Sequence, residues 1–408
     1  MGLKFLHTSD LQIGMTRGFL GADAQPRFEA ARIEAIARLG RAAADNGCAF
    51  IVMAGDVFEH NSLAPRTIGR AVEALKALPV PVFLLSGNHD PLTADSYFYQ
   101  VSEIAGVTVF YDSEPIEFTA PGGEVVELVG APLRSRHTSE DLVAQAIAGL
   151  EPTSRIRIAV GHGQVFSRGD EDAPNLIDLP LVERKLAEGA IDYLAMGDTH
   201  SAQPIGSSGR VWYSGAPEAT DFRELATGGG ENNSGKALVV EVTKPGVEQA
   251  EVSVEEVEVG QWTFEAPVVE VNSRAEAEEF ISFLDAYPHK ERTVIKYALV
   301  GTVDIATKRY LESALAEREE VFAVLYERER LMDLHLEPSE DDLAELAQGG
   351  FVGRALEELI AQAGAESEGF DAAAAIEAEA AGGGGADPDR GTVARDAINL
   401  LFRLSKES

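Results

Sequence analysis

Five times between residues 4 and 200, an apolar, strand-like run of this chain closes on a short polar cluster of Asp, Asn or His. Lys4–His7 leads into Ser9-Asp10-Leu11-Gln12, and Ala49–Ala54 into Gly55-Asp56. Val82–Leu85 leads into Gly87-Asn88-His89-Asp90. Ile156–Val160 ends in Gly161-His162, and Tyr193–Met196 in Gly197-Asp198-Thr199-His200. Short β-rich apolar runs bounded by polar residues read as buried strands. In α/β sheets the carboxyl ends of strands converge on one crevice, where ligands bind. Glycine at such an end lets the backbone turn tightly beside a bound ion. Any one of these endings alone is an ordinary turn aspartate, helix N-cap or hydrogen-bonded histidine. Five in order point to a single site.

Between these runs lie helices. Phe28–Asn46 has helical character, as does Pro65–Ala77, whose proline sits in the first turn. Further strands are expected at Val107–Tyr111, Val125–Val129, Val211–Tyr213 and Ala237–Val242. Buried strands with crossover helices, followed by many strands together, predict an α/β fold with two sheets sandwiched by helices. From Pro267 onward, Val268–Val271, Ala275–Ala286, Thr293–Val300, Ile305–Glu317 and Val321–Tyr326 form a compact βαβαβ pattern. The stretch 364–389 is rich in Ala, Glu and Gly and contains Gly382–Gly385, the composition of a tether. In Thr392–Leu404, the residues Val393, Ala397, Leu400, Leu401 and Leu404 share one helical face, as in a short docking helix. These patterns divide the chain into 1–265, 266–335 (a small cap) and 336–408 (linker and helical tail).

Composition narrows the chemistry. Cys48 is the only cysteine, so no intrachain disulfide can form and a reducing cytoplasm is the simplest setting. With 8 histidines and almost no thiol, any metal site must use nitrogen and oxygen ligands. No apolar run reaches the roughly 18 residues needed to cross a bilayer, and Met1–Ser9 carries no signal-like apolar core. The formal net charge is −34, split as −11 over residues 1–220 and −23 over the rest. Broad binding to a polyanion needs basic surface to release counterions. Net charge therefore gives no ground for nucleic-acid binding.

The order of motifs resembles the calcineurin-like metallophosphoesterases, and within them the SbcD-type DNA repair exonuclease subunit. His7-Thr8-Ser9-Asp10, Gly55-Asp56-Val57-Phe58, Ile191-Asp192-Tyr193 and Tyr213-Ser214-Gly215-Ala216-Pro217-Glu218 carry the likeness, which spans about residues 3–220. The resemblance implies two divalent ions. Asp56 would bridge them; Asp10, Gln12 and His200 would complete one site, and Asn88, His162 and Asp198 the other. His89 would contact the scissile phosphate and help the leaving oxygen depart, and Asp90 would support its loop. It also implies a DNA nuclease partnered with an SMC-like ATPase of the SbcC type, and leaves room for a homodimer. Physically, two ions roughly 3.5–4 Å apart neutralise a diester, acidify a water and stabilise both the attacking and the leaving oxygen.

Two positions depart from the family pattern. Asp-x-His is here Asp10-Leu11-Gln12, and Gly-His-x-His is Gly197-Asp198-Thr199-His200. Trading two imidazoles for an amide and a carboxylate enriches the site in oxygen, which favours Mn²⁺ or Mg²⁺ over softer ions. Two other readings stand beside the nuclease: a phosphodiesterase for a small nucleotide, and a weakly active scaffold regulating the ATPase. The remaining histidines keep structural readings. His7 belongs to the core, His60 and His137 lie in loops, and His289 and His335 fall in the second half of the chain.

Overall fold

The computed structural model describes residues 2–165 and 176–336, with Ala373 and Ile376 beyond them. From the N-terminus the first unit runs β1 (Gly2–Thr8), α1 (Gly21–Asp45), β2 (Ile51–Ala54), α2 (Pro65–Lys76), β3 (Val82–Leu85), α3 (Phe98–Val101) and β4 (Val107–Val109). It continues with β5 (Ile116–Thr119), β6 (Val125–Gly130), α4 (Leu142–Ala148), β7 (Ile156–His162), α5 (Leu179–Ala187), β8 (Tyr193–Gly197), β9 (Gln203–Ile205) and β10 (Val211–Tyr213). A ribbon, β11 (Arg223–Glu224) and β12 (Gly229–Gly230), belongs to the second unit. The first unit then resumes with β13 (Lys236–Thr243) and β14 (Glu251–Glu258).

Two six-stranded sheets form this unit. One has the order β14-β13-β1-β2-β3-β4, the other β5-β6-β7-β8-β10-β9. Strands β1 to β4 are mutually parallel, as are β6, β7, β8 and β10. The period-two geometry of a strand sends alternate side chains to opposite faces. Leu3 and Phe5 of β1 therefore pack with Phe50, Val52 and Phe83 against Val126, Ile156, Ile158 and Tyr193 of the other sheet. Leu6, one residue out of phase, joins Ile51, Met53 and Leu84 beneath Ile36, Leu39, Ile68 and Leu75 of α1 and α2. On the far side, Ala159, Leu194 and Val211 pack under Val143 and Ile147 of α4 and Val182 and Leu186 of α5. Each fully buried aliphatic or aromatic side chain contributes about 1.5–3 kcal/mol, and three such layers hold the sandwich. Helix α1 starts at Gly21, earlier than the expected Phe28, because its added turns bury Ala24 as well.

His7 lies inside β1 with no exposed surface. Its Nδ1 is 3.1 Å from the Tyr193 hydroxyl and its Nε2 is 3.2 Å from the Met196 carbonyl, and burial pushes its pKa down to about 3. The neutral ring stitches the two sheets together.

In the second unit, β15 (Thr263–Ala266) and β16 (Val268–Glu270) precede α6 (Arg274–Asp285), β17 (Thr293–Val303), α7 (Ile305–Glu319), β18 (Val324–Glu327) and β19 (Asp333–Leu336). The βαβαβ pattern is present here. Strand β17, at 11 residues, is long enough to pair in parallel with β15 and β18 along its first half and with β16 and β19 along its second. Val271, Phe280, Ile295, Leu299, Leu311 and Leu325 form its core. Within the Ala/Gly-rich stretch 364–389, Ile376 is buried beside Ala298 and Leu331. The expected tail helix at 392–404 lies outside the described residues.

Candidate metal centre

The parallel strands deliver the polar clusters to one rim. Strands β1, β2 and β3 are adjacent, so the loops after them set Asp10, Asp56 and Asn88 side by side. Strands β7 and β8 are adjacent in the facing sheet and bring His162 and Asp198 opposite. Asp10, Gln12, Asp56 and Asp198 have φ values of 55°, 43°, 50° and 101°, and are the four non-glycine residues with positive φ among the described residues. L-residues rarely adopt this region, and such strain is kept where a site over-determines it. Backbone bonds hold the loops in register: the Asp10 N–H donates to the Gly55 carbonyl (3.1 Å) and the Gln12 N–H to the Asp56 carbonyl (2.9 Å). Glycine is required beside them. A Cβ at Gly55 would lie 2.2 Å from His162 Nδ1, and one at Gly87 would lie 2.0 Å from Asp56 Oδ1.

Asp10, Asp56 and His162 each bring a ligand atom within 4.8 Å of the other two, and all three are buried. His162 Nε2 lies 2.8 Å from Asn88 Oδ1, 3.3 Å from Asp56 Oδ2 and 3.8 Å from Asp198 Oδ1. Its Nδ1 is 2.8 Å from the Ala54 carbonyl, which accepts the Nδ1 proton and leaves Nε2 facing the carboxylates. His200 Nε2 stands 3.9 Å from Asp10 Oδ1. On its other side, Nδ1 is 2.5 Å from Thr220 Oγ1 and 3.4 Å from Glu231 Oε2, and the Thr220 hydroxyl donates to the same carboxylate. Glu231 also accepts the backbone N–H groups of Thr220 and Asp221. A carboxylate behind an imidazole fixes its tautomer and raises its basicity toward a metal.

Gln12 reaches the cluster with its amide turned. Arg32, fully buried, donates to Gln12 Oε1 at 3.4 Å and to the Gln12 carbonyl at 3.3 Å, while Gln12 Nε2 stands 3.4 Å from His200 Nε2. Ser9 donates to Asp10, and the Asp198 N–H points at both Asp10 oxygens (3.3 and 3.2 Å).

His89 and Asp90 divide the work of their loop. The His89 N–H donates to Asp56 Oδ1 (3.0 Å), its ring Nδ1 lies 3.1 Å from the Glu59 carbonyl, and its Nε2 is 4.0 Å from Asp56 Oδ2. Asp90 has no exposed surface and accepts the N–H groups of Phe58 (2.9 Å) and Gly87 (2.7 Å), tying the loop after β3 to the loop after β2. Burial beside Asp56 pushes its carboxyl up to about 7.

Burial also raises the carboxyls of Asp10 and Asp198. It works against protonated His162, yet Asp56, Asp10 and Asp198 outweigh it and hold that imidazole well above its usual range. The cavity thus concentrates negative charge. Carboxylate and amide oxygens with two imidazoles form a donor set suited to divalent cations, and Cys48, buried in the core under α1, contributes no thiolate. The residues present fit a divalent metal site.

Sequence reasoning missed Glu231, Thr220, Arg32 and Ser9. Ser9 could have been found in the first motif; the others carry no local signal. Glu218, in the 213–218 segment, is structural: it pairs with Arg38 and accepts the N–H groups of Gln261 (3.0 Å) and Trp262 (3.1 Å).

Comparison with known proteins gives three findings. The family model of the calcineurin-like phosphoesterases matches residues 3–202. Over 244 residues the chain is 26% identical to a DNA double-strand break repair protein Mre11 of Archaeoglobus fulgidus, covering 55% of this chain and 52% of that one. The chain thus spans about half the length of that curated relative. Solved structures that match include a dimetal phosphatase from Danio rerio (10% identity, 63% of this chain, 99% of that one, TM-score 0.36). Another is a purple acid phosphatase from yellow lupin seeds (10% identity, 64% and 52%, TM-score 0.35).

Proposed function

Since residues 3–202 form a calcineurin-like phosphoesterase domain and the chain is a metallophosphoesterase, we propose that it cuts phosphodiester bonds of DNA at a two-metal centre, in DNA repair. The observation that carries this reading is the convergence of Asp10, Asp56 and His162 within 4.8 Å. The name of the relative supports the choice of DNA. Asp56 would bridge the ions, with Asp10 and His200 on one side, joined by Gln12 once its amide oxygen turns from Arg32, and Asn88, His162 and Asp198 on the other. When bound, the pair would neutralise the diester and supply an activated water. The oxygen-rich donor set favours Mn²⁺, with Mg²⁺ as the alternative.

The chain's own residues do the rest. With His89 Nδ1 donating to the Glu59 carbonyl, Nε2 would face the substrate; in the imidazolium form Nε2 carries the proton that passes to the departing oxygen, leaving the neutral ring with its remaining proton on Nδ1. Asp90 keeps the two loops at a fixed separation through its paired backbone bonds. The Ala54 carbonyl and the Glu231–Thr220 pair orient the two imidazoles.

Residues 266–335 would act as a cap shaping access of DNA. Residues 391–408 would dock on an SMC-like ATPase of the SbcC type, in the cytoplasm, with a homodimer as a further assembly. A second reading, hydrolysis of a small nucleotide diester, is favoured by the modest size of one cavity at the cluster, about 270 Å³. The test is hydrolysis of end-labelled single- and double-stranded DNA with Mn²⁺, beside a cyclic nucleotide. Cleavage of DNA alone is the expected result. Cleavage of the cyclic nucleotide alone would replace the DNA reading, and stoichiometric metal without turnover on either would leave a scaffold.

A further inference from the structure

On each sheet, the strand next to the metal-bearing ones ends on the same rim. Strand β4 pairs with β3 and runs into Tyr111; strand β6 pairs with β7 and runs into the segment 131–138. The two ends meet. Arg134 Nη2 donates to the Tyr111 carbonyl at 2.6 Å. The same segment is anchored to the His89 loop, where Ser86 Oγ and the Leu92 N–H both donate to the Leu133 carbonyl (2.8 and 2.9 Å). Arg136, His137 and Thr138 line the 270 Å³ cavity together with Asn88, His162 and Asp198.

Beyond Arg134 the rim is aromatic. Tyr99, on α3, and Tyr111 stack with ring centroids 5.7 Å apart and planes 9° from parallel. Both stay open to solvent, at 47% and 36%. They are two of the five large apolar side chains left exposed among the described residues, and they lie against each other. The cations are equally localised. No Lys or Arg occurs from 77 to 133 in a chain of net charge −34, and then two arginines fall within three residues, at Arg134 and Arg136.

We propose that Arg136, Arg134 and the stacked pair Tyr111–Tyr99 form a track for single-stranded nucleic acid leading away from the metal centre. This rests on the polynucleotide reading above. Arg136, exposed and without an ion pair or hydrogen bond among the described residues, takes the phosphate nearest the reacting one. Arg134, positioned by the Tyr111 carbonyl, takes the next. The tyrosine pair receives an unstacked base on its open surface, an interaction that is strong and sequence-tolerant because every base has a π-face. A duplex keeps its bases stacked on one another, so the platform selects a single-stranded end.

The test compares the wild type with Tyr99→Ala and with Arg136→Gln, using fluorescent oligothymidylate, a blunt duplex and bis(p-nitrophenyl) phosphate. Anisotropy measures binding without turnover, in EDTA, and kcat/KM is measured with Mn²⁺. Tyr99→Ala should weaken oligothymidylate binding roughly tenfold and lower its kcat/KM relative to that of the small diester by a similar factor. Arg136→Gln should weaken binding and reduce the slope of log affinity against log salt by about 0.7. Equal losses on duplex and single strand overturn the single-strand assignment. A wild type that binds and cuts the oligonucleotide while both variants match it overturns the track and leaves the DNA reading standing. A wild type that cleaves only the small diester overturns both.

Discussion

Glu231 stands behind His200: its Oε2 is 3.4 Å from Nδ1, and the Thr220 hydroxyl bridges the two by accepting from the imidazole and donating to the carboxylate. A carboxylate in that position orients an imidazole and raises its basicity. Glu231→Gln should therefore weaken metal binding by roughly 10–100-fold while the chain stays folded. Calorimetric titration with Mn²⁺ reads this directly. Wild-type affinity in the variant would remove His200 from the ligand set.

Asp56→Ala should abolish binding of the metal pair and hydrolysis together, since Asp56 lies between His162 (3.3 Å from Oδ2) and the His89 loop (3.0 Å from Oδ1). Asp56→Asn is the sharper variant, because Asn tolerates the positive φ of this position and keeps the side chain's shape while removing its charge and one of its two ligand oxygens. Two metals per chain with near-normal turnover in either variant contradicts a bridging role.

His89→Ala should keep metal occupancy and slow turnover by roughly 10²-fold or more, the scale of a positioned acid. The ring is held from the Glu59 carbonyl, 3.1 Å away, with Nε2 4.0 Å from the nearest Asp56 oxygen. If metal is lost in proportion to activity, His89 is a ligand.

Gln12→His combined with Asp198→His should shift the metal preference toward softer first-row ions. Both positions face the cluster, with Gln12 Nε2 3.4 Å from His200 Nε2 and Asp198 Oδ1 3.8 Å from His162 Nε2. Arg32 holds Gln12 Oε1 away from the centre, so the imidazole gained at residue 12 is the larger change. An identical metal profile in wild type and variant counts against direct ligation by these two side chains.

His7 gives the fold an acid dependence. Its pKa is about 3 when folded against 6.5 in the open chain, so the unfolded state binds the proton first. The stabilisation from its neutral form is complete above pH 6.5 and declines as pH falls toward 3, by at most about 1.4 kcal/mol per pH unit for one proton. His7→Gln should lower stability at pH 7, and its urea midpoint should fall less steeply than that of the wild type between pH 6.5 and 5. Parallel midpoints over that range would place the acid sensitivity elsewhere.

The alternation of apolar runs with polar endings made the two-sheet sandwich and most of its rim legible, because a strand and the residue that ends it are local in the chain. Asp10, Asp56, Asn88, His162 and Asp198 could be named without coordinates for that reason. Strand β14 was harder to see: its burial alternates over Glu251–Glu255 and the period then breaks where Glu255 and Glu256 are both exposed, as on a half-covered edge strand. Helices α4 and α5, of 7 and 9 residues, are too short to announce a period. Only the tertiary structure decided what surrounds the ligands. Arg32 meets Gln12 across 20 residues, Glu231 meets His200 across 31, and Tyr111 meets Arg134 across 23. Each of these pairs joins residues of different elements, with Arg32 reaching from α1 to the loop after β1, and their separation in space is set by how strands and helices pack rather than by anything in the neighbouring sequence.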